Sequence, residues 1–212
     1  MFSVIFDMDG TLLDTQSISV PAWKYAAEQS GFKDVADHVS FVCGMNVEGV
    51  KKYITEHFPD LDWTVFRNDV VSYIDKNLVV KYKDGIKELL DFLKENNIKI
   101  GLASGTDKSK VMDFLNRVGA TEYFTAIVGG DEIKNGKPNP EIFLKTAALM
   151  GVNPCDVIVF EDAKNGIIAG HNAGMKVIGV PDFAPFDDEA KSLLFKELDS
   201  ADKAIKILKK LL

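Results

Sequence analysis

Cysteine and histidine are both scarce: the 212 residues hold two of the first and three of the second. Cys43 and Cys155 lie far apart and fit no metal-ligand or redox spacing, so both read as buried free thiols rather than as a disulfide framework. His38, His57 and His171 are scattered, which speaks against a zinc cluster. No apolar run approaches the ~20 residues needed to span a bilayer. The N-terminus lacks a cationic segment, and its apolar run is too short for a secretory signal. These absences describe a cytoplasmic protein without a membrane partner. Positive charge is also in deficit, with 25 Lys+Arg against 32 Asp+Glu and a net charge of -7. No basic stripe is available for nucleic-acid phosphates or anionic lipid. An acidic chain that handles an anionic substrate needs a local correction of sign, which a divalent cation plus one or two lysines would supply.

What the chain does have is apolar material, 46% of its residues, enough for one large domain or a core with a modest insert. Runs with the length of buried strands recur at Val4-Ile5-Phe6, Ile98 to Ala103, Ala126-Ile127-Val128, Val157 to Phe160 and Val177 to Val180. Between the later ones, Gly85 to Asn96, Lys108 to Val118, Glu141 to Met150 and Ala163 to Ala173 carry apolar residues at three- and four-residue spacing. Short apolar strands alternating with helices predict a parallel sheet covered on both faces. The interval from about Thr15 to Asn77 has helical periodicity and no convincing strand. Its apolar stripes are Val20, Trp23, Ala26 and Ala27, then Val47, Val50, Tyr53 and Ile54, then Trp63, Phe66, Val70, Val71 and Ile74. It predicts a small helical bundle inserted after the first strand. The boundaries are 1–14 and 80–212 for the α/β core and 15–79 for the insert. A last helix is expected over Ala201 to Leu212 as a solvated cap on the sheet edge.

Polar residues collect where the strands end. Asp7 and Asp9 close the first strand, and side chains two apart on an extended segment point the same way. Two carboxylates that close require a cation between them or a proton on one. The pair therefore reads as a hard-metal site, as a general acid, or as a polar loop with Gly10 turning the backbone. Ser104-Gly105-Thr106 ends the second strand, Glu161-Asp162 ends the fourth, and Asn135-Gly136-Lys137-Pro138 precedes a helix. Each has a plain explanation taken singly: Ser104 as a helix cap, Glu161 and Asp162 as first-turn charges, Lys137 as a surface lysine. Open parallel sheets bind ligands outside the carboxyl ends of their strands, and these groups all fall there. Carboxylates suit magnesium beside a phosphate. A hydroxyl, the backbone amides after Ser104 and a lysine suit the remaining phosphate oxygens. Gly130 to Lys137 only superficially matches a nucleotide-binding loop, because its glycines are one residue too far apart and Pro138 replaces the Ser or Thr.

In combination and order, Asp7-Met8-Asp9-Gly10-Thr11, Ser104, Lys137-Pro138 and Phe160-Glu161-Asp162 resemble the four motifs of the haloacid dehalogenase superfamily. More narrowly, the chain resembles the helical-cap branch of phosphatases and beta-phosphoglucomutase-like proteins. The likeness runs over nearly the whole chain, through Asp14-Thr15, Pro140-Glu141-Ile142-Phe143, Gly166-Ile167 and Ala173-Gly174. It implies a Rossmann-like core with an α-helical cap. Asp7 would be the nucleophile and Asp9 the general acid/base. Magnesium would be held by the Asp7 carboxylate, the Asp9 main-chain oxygen and Asp162, with Glu161 in or near its shell. Ser104, Gly105 and Lys137 would bind the phosphoryl group, and Gly44 would mark the cap loop that meets substrate. True dehalogenases lack the second aspartate that Asp9 supplies here. The mutase branch has a histidine where this chain has Ser19 and an arginine where it has Val47, so hydrolysis is favoured over return transfer. The implied activity is a magnesium-dependent phosphatase acting, as a monomer, on a small phosphorylated metabolite. A sugar phosphomutase is the alternative. A phosphoaspartate signalling module would need neither Asp9 nor so large an insert.

Overall fold

A computed structural model of the chain describes residues 2–42, 47–183 and 185–212. Its strands are β1 (Ser3–Phe6), β2 (Ile100–Ala103), β3 (Ala126–Val128), β4 (Val157–Glu161), β5 (Lys176–Gly179) and β6 (Lys196–Glu197). Its α-helices are α1 (Ser19–Ser30), α2 (Val39–Val42), α3 (Val47–His57), α4 (Trp63–Asn77), α5 (Ile86–Glu95), α6 (Lys108–Arg117), α7 (Glu141–Met150), α8 (Lys164–Asn172), α9 (Asp188–Leu193) and α10 (Ala204–Leu208). The strands form one parallel sheet in the order β3-β2-β1-β4-β5-β6. This is the Rossmann-like α/β architecture. Two compact units emerge: Met1–Asp14 with Val80–Leu212, and Thr15–Val79.

The central strands are buried along their whole length, so apart from Ser3 and Glu161 at their ends they carry no polar side chain on either face. Ile5, Ala103, Val128, Val157, Val159 and Val177 join Ile142, Phe143, Ala147 and Met150 of α7 and Ile167 and Ala169 of α8 in one core. The alternating residues Val4, Phe6, Leu102, Ile158 and Phe160 face the other way, and the Phe6 and Phe160 rings stack at 4.9 Å. Crossovers between parallel strands are right-handed. The chain runs β1-β2-β3 in one direction and then returns through β4, which puts α5 and α6 on one face and α7 and α8 on the other. Helix α5 buries Ile86, Leu89, Leu90 and Leu93, and α6 buries Val111, Phe114 and Leu115. The strand order therefore reverses between β1 and β4, and that crevice is where such sheets bind ligands.

The second unit is helical. Helices α1 and α4 pack along each other, with Trp23 edge-on to Phe66 at 5.2 Å, around a core of Ala26, Ala27, Val35, Ile54 and Leu61. Asp62 caps α4 by accepting from the amides of Thr64 and Val65, at 2.9 and 3.1 Å.

Several expectations need correction. Val47 and Val71 belong to apolar stripes in the sequence yet are exposed. Cys155 is exposed, because it lies in the turn Pro154–Asp156 ahead of β4 rather than in the strand; Cys43 falls outside the described residues. His38 and His57, distant in sequence, meet with ring centroids 5.9 Å apart, though no third metal-ligating group joins them among the described residues. The last helix is not continuous: a 3-10 turn (Ala201–Lys203) leads into the short α10, and Leu211 is exposed. Strand β6 is two exposed residues, so no apolar run announces it. Among the described residues, no helix is long and apolar enough to cross a membrane.

A side chain at Gly101 of β2 would enter the seam with α7, since its β-carbon would lie 2.6 Å from Met150 Sδ and 2.7 Å from Thr146 Cγ2. Gly101→Val is expected to cost about 1–3 kcal/mol, the usual penalty for overpacking. Urea unfolding would report it as a lower midpoint at constant slope, and an unchanged midpoint would mean that α7 yields freely.

Candidate active site

Three strand ends deliver the polar groups. Asp7 follows β1, and its amide donates to the Phe160 carbonyl at 3.0 Å, which extends the sheet pairing and sets the carboxylate beside the end of β4. Ser104 follows β2, is wholly buried, and donates its amide to the Val128 carbonyl at 3.1 Å. Glu161 ends β4 at 1% exposure, and Asp162 comes next. Lys137 arrives from the loop ahead of α7. Its ammonium donates to Asp7 Oδ1 at 2.5 Å and Glu161 Oε1 at 2.6 Å, with Nζ 4.8 Å from the centre of the Phe143 ring. Glu161 Oε2 accepts from the amides of Asp162 and Ala163, both at 2.8 Å, so Glu161 is fixed by two backbone donors and one lysine.

Asp7, Glu161 and Asp162 each offer an oxygen within 4.8 Å of the others. These three carboxylates have one ammonium among them, bonded to Asp7 and Glu161, which leaves two negative charges uncompensated when all are ionised. Burial, followed by the nearby charges of Glu161 and Asp9, pushes Asp7 up from 3.8 to about 8 despite Lys137. Asp162 is also raised, by burial and then by Glu161 and Asp7. Burial alone would push the Lys137 ammonium down, but Asp7 and Glu161 outweigh it and hold the lysine charged. Hard oxygen donors with a deficit of two positive charges fit a divalent cation such as magnesium.

Asp9 lies outside that cluster. Its Oδ2 accepts from the hydroxyls of Thr106 at 2.8 Å and Ser104 at 3.2 Å, and the Thr106 amide donates to Ser104 Oγ at 3.0 Å. Thr11, 4% exposed, donates its hydroxyl to Asp162 Oδ1 at 2.9 Å. Gly10 turns the chain at φ 86°, a region that favours glycine. Gly105 is exposed on the loop after β2, and its carbonyl packs so closely on Gly130 that a β-carbon there would overlap it. Gly166 of α8 is packed against the Glu161 carboxylate, leaving no room for a β-carbon. The structure thus brings together Asp7, Asp9, Ser104, Lys137, Glu161 and Asp162. Gly44 lies outside the described residues. Sequence reasoning assigned no role to Thr11, Thr106 or Gly166. Threonines within two residues of the Asp9 and Ser104 motifs were the available signal for the first two, whereas the packing of Gly166 has no local signature.

The haloacid dehalogenase-like hydrolase family matches residues 4–180. A phosphorylated carbohydrates phosphatase of Thermotoga maritima is 33% identical over 188 residues, which cover 84% of each chain. A beta-phosphoglucomutase of Bacillus subtilis is 36% identical over 191 residues, 85% of this chain and 83% of the other. The crystal structure of beta-phosphoglucomutase from Clostridium difficile superposes with a TM-score of 0.75 at 29% identity, covering 99% of this chain and 96% of that one.

Two outcomes follow from the packing and charge of the site. Gly166→Ala would drive a methyl into the Glu161 carboxylate, which its backbone donors hold in place. It should lower stability by about 1–3 kcal/mol in chemical unfolding. A variant as stable as the parent would mean that Glu161 can swing aside at no cost. The raised Asp7 disfavours its ionised form only in the folded state. In excess chelator, stability should therefore fall as pH rises from near 3.8 to about 8 and then level off. Asp7→Asn removes that penalty, so its advantage in melting temperature should be absent near pH 4 and largest above pH 8. A gap that does not vary with pH would contradict the assigned burial cost.

Proposed function

The chain belongs to the haloacid dehalogenase-like hydrolase family as a phosphoric monoester hydrolase, and from that premise we propose that it is a magnesium-dependent phosphatase of a small phosphorylated metabolite. A sugar phosphate is the preferred class, in line with the carbohydrate-phosphate specificity named for the Thermotoga relative. It acts as a monomer in the cytoplasm. The observation that carries the reading is the group of three carboxylates, two of them bonded to one ammonium, with Asp7 just beyond the central strand and a net deficit of two positive charges. Magnesium would be held by Asp7 and Asp162, the main-chain oxygen of Asp9, and Glu161 in or next to its shell. Once bound, it supplies a Lewis acid that neutralises charge on the phosphoryl oxygens.

The chain's own residues divide the chemistry. An Asp7 carboxylate oxygen forms a bond to phosphorus while the bond from phosphorus to the leaving oxygen breaks, and Asp9 gives its proton to that oxygen. Water then attacks phosphorus, Asp9 takes a proton back, and the Asp7 acyl-phosphate bond breaks. Splitting one displacement into two is the advantage of a covalent intermediate. Ser104, the amides around Gly105, and Lys137 bind the phosphoryl oxygens as donors. Glu161, held by two amides, keeps Lys137 directed at Asp7. The unit 15–79 serves as the cap that selects the substrate.

Transfer to a sugar phosphate instead of water is the second reading, favoured by 36% identity to the Bacillus phosphoglucomutase. Ser19 and Val47 weigh against it. Phosphorus NMR of the enzyme with hexose phosphates separates the two, since hydrolysis releases orthophosphate and mutase activity yields an isomer.

Turnover should vanish in excess chelator and return with magnesium. Rapid quench should trap phosphate on Asp7, and Asp7→Asn should abolish both the label and turnover. Asp9→Asn should lose about 10²- to 10⁴-fold in rate on an alkyl phosphate. A label elsewhere, or full activity in chelator, would overturn the mechanism.

A further inference from the structure

Asp9 accepts from two hydroxyls of one loop, and one of those hydroxyls cannot serve two acceptors at once. A serine hydroxyl has a single hydrogen to donate. Ser104 spends its own on Asp9 Oδ2, at 3.2 Å, in the arrangement described. The proposed function, on which this argument rests, also requires Ser104 to donate to a phosphoryl oxygen. It cannot do both at once. When the phosphoryl group claims the Ser104 proton, the shorter bond from Thr106 Oγ1, at 2.8 Å, stays with Asp9. The same threonine's amide donates to Ser104 Oγ at 3.0 Å. That bond uses a lone pair of Ser104 and leaves its hydrogen free to rotate from Asp9 to the substrate. Thr106 therefore steadies both partners while the proton of Ser104 changes acceptor.

We propose that Thr106 is a positioning residue that holds the Asp9 carboxylate in line for proton transfer while Ser104 is engaged with the phosphoryl group. It does not touch the reacting atoms. Its place on the loop is set by the sheet, because the Thr106 carbonyl accepts from the Gly130 amide at 2.9 Å and Gly130 packs on the Gly105 carbonyl. The threonine is tied to β3 as well as β2, so its hydroxyl is a fixed point rather than one more mobile donor.

Thr106→Val removes the hydroxyl at nearly constant shape, and Thr106→Ser retains it. Steady-state kinetics with a hexose phosphate and with p-nitrophenyl phosphate, in saturating magnesium, distinguish a positioning role from a structural one. The alkyl ester needs a proton on its leaving oxygen and the aryl ester does not. For Thr106→Val, kcat/KM on the hexose phosphate should fall about ten- to a hundredfold, the range for losing a hydrogen bond to a charged group. Its kcat/KM on the aryl ester should change less than threefold. Hydrolysis of the Asp7 acyl phosphate needs Asp9 as base for either substrate. So kcat on the aryl ester should also drop, with phosphoenzyme accumulating in rapid quench. Thr106→Ser should restore all three. Equal loss of kcat/KM on both substrates, no loss on either, or failure of the serine variant to restore activity would each overturn the proposal. If Thr106→Val does not fold, judged by its melting curve, Thr106→Ala and Thr106→Ser carry the same comparison. Parent enzyme that labels no Asp7 would refute the underlying reading of the site. A labelled parent with an unaffected Thr106→Val would refute this inference alone.

Discussion

Lys137 binds two carboxylates at the end of the central strand, and most of the site depends on that arrangement. Its ammonium reaches Asp7 and Glu161 from a loop 24 residues ahead of Glu161, so the lysine joins parts of the chain that meet only in the folded core. Each group would be costly to bury alone. With Asp162 beside them they remain short of two positive charges, and a stable ionised state requires another cation. Burial first, and then the neighbouring carboxylate charges, drive Asp7 and Asp162 towards their protonated forms. Electrostatic strain of this kind is typical of functional sites, where a group is kept ready for a ligand that completes its environment.

The surroundings resist relaxation of that strain. Glu161 cannot rotate away without surrendering two backbone donors, and Gly166 leaves it just enough room. Thr11 steadies Asp162. On the other side of Asp7, Asp9 turns towards the β2 loop and its two hydroxyls. Two aspartates one residue apart are thereby placed in different environments, one among carboxylates and an ammonium, the other among neutral donors. Separating like residues by environment is how one strand end can supply groups for two different tasks.

Much of this was legible beforehand. The alternation of short apolar runs with amphipathic helices implied a parallel sheet, because a strand buried on both faces reads as a near-continuous apolar run. The motif residues at Asp7, Ser104, Lys137 and Glu161-Asp162 could be located because strand ends in such sheets converge. Less visible were features that leave no local pattern. Strand β6, Lys196–Glu197, is polar and two residues long, and it forms only because β5 offers an edge. Cys155 read as a buried thiol but is exposed in the turn ahead of β4.

By itself the sequence determined the class of fold and the chemical types available at the strand ends, since periodicity and residue identity are local properties that follow from backbone geometry. Only the tertiary structure decided which partner each group takes. Hydrogen bonds and charge effects act over a few ångströms, whereas the partners lie 24 to 151 residues apart, as with Lys137 and Glu161 or Thr11 and Asp162. Proximity of that kind exists only after the sheet has closed its register, and so does the burial that makes Asp7 reluctant to ionise.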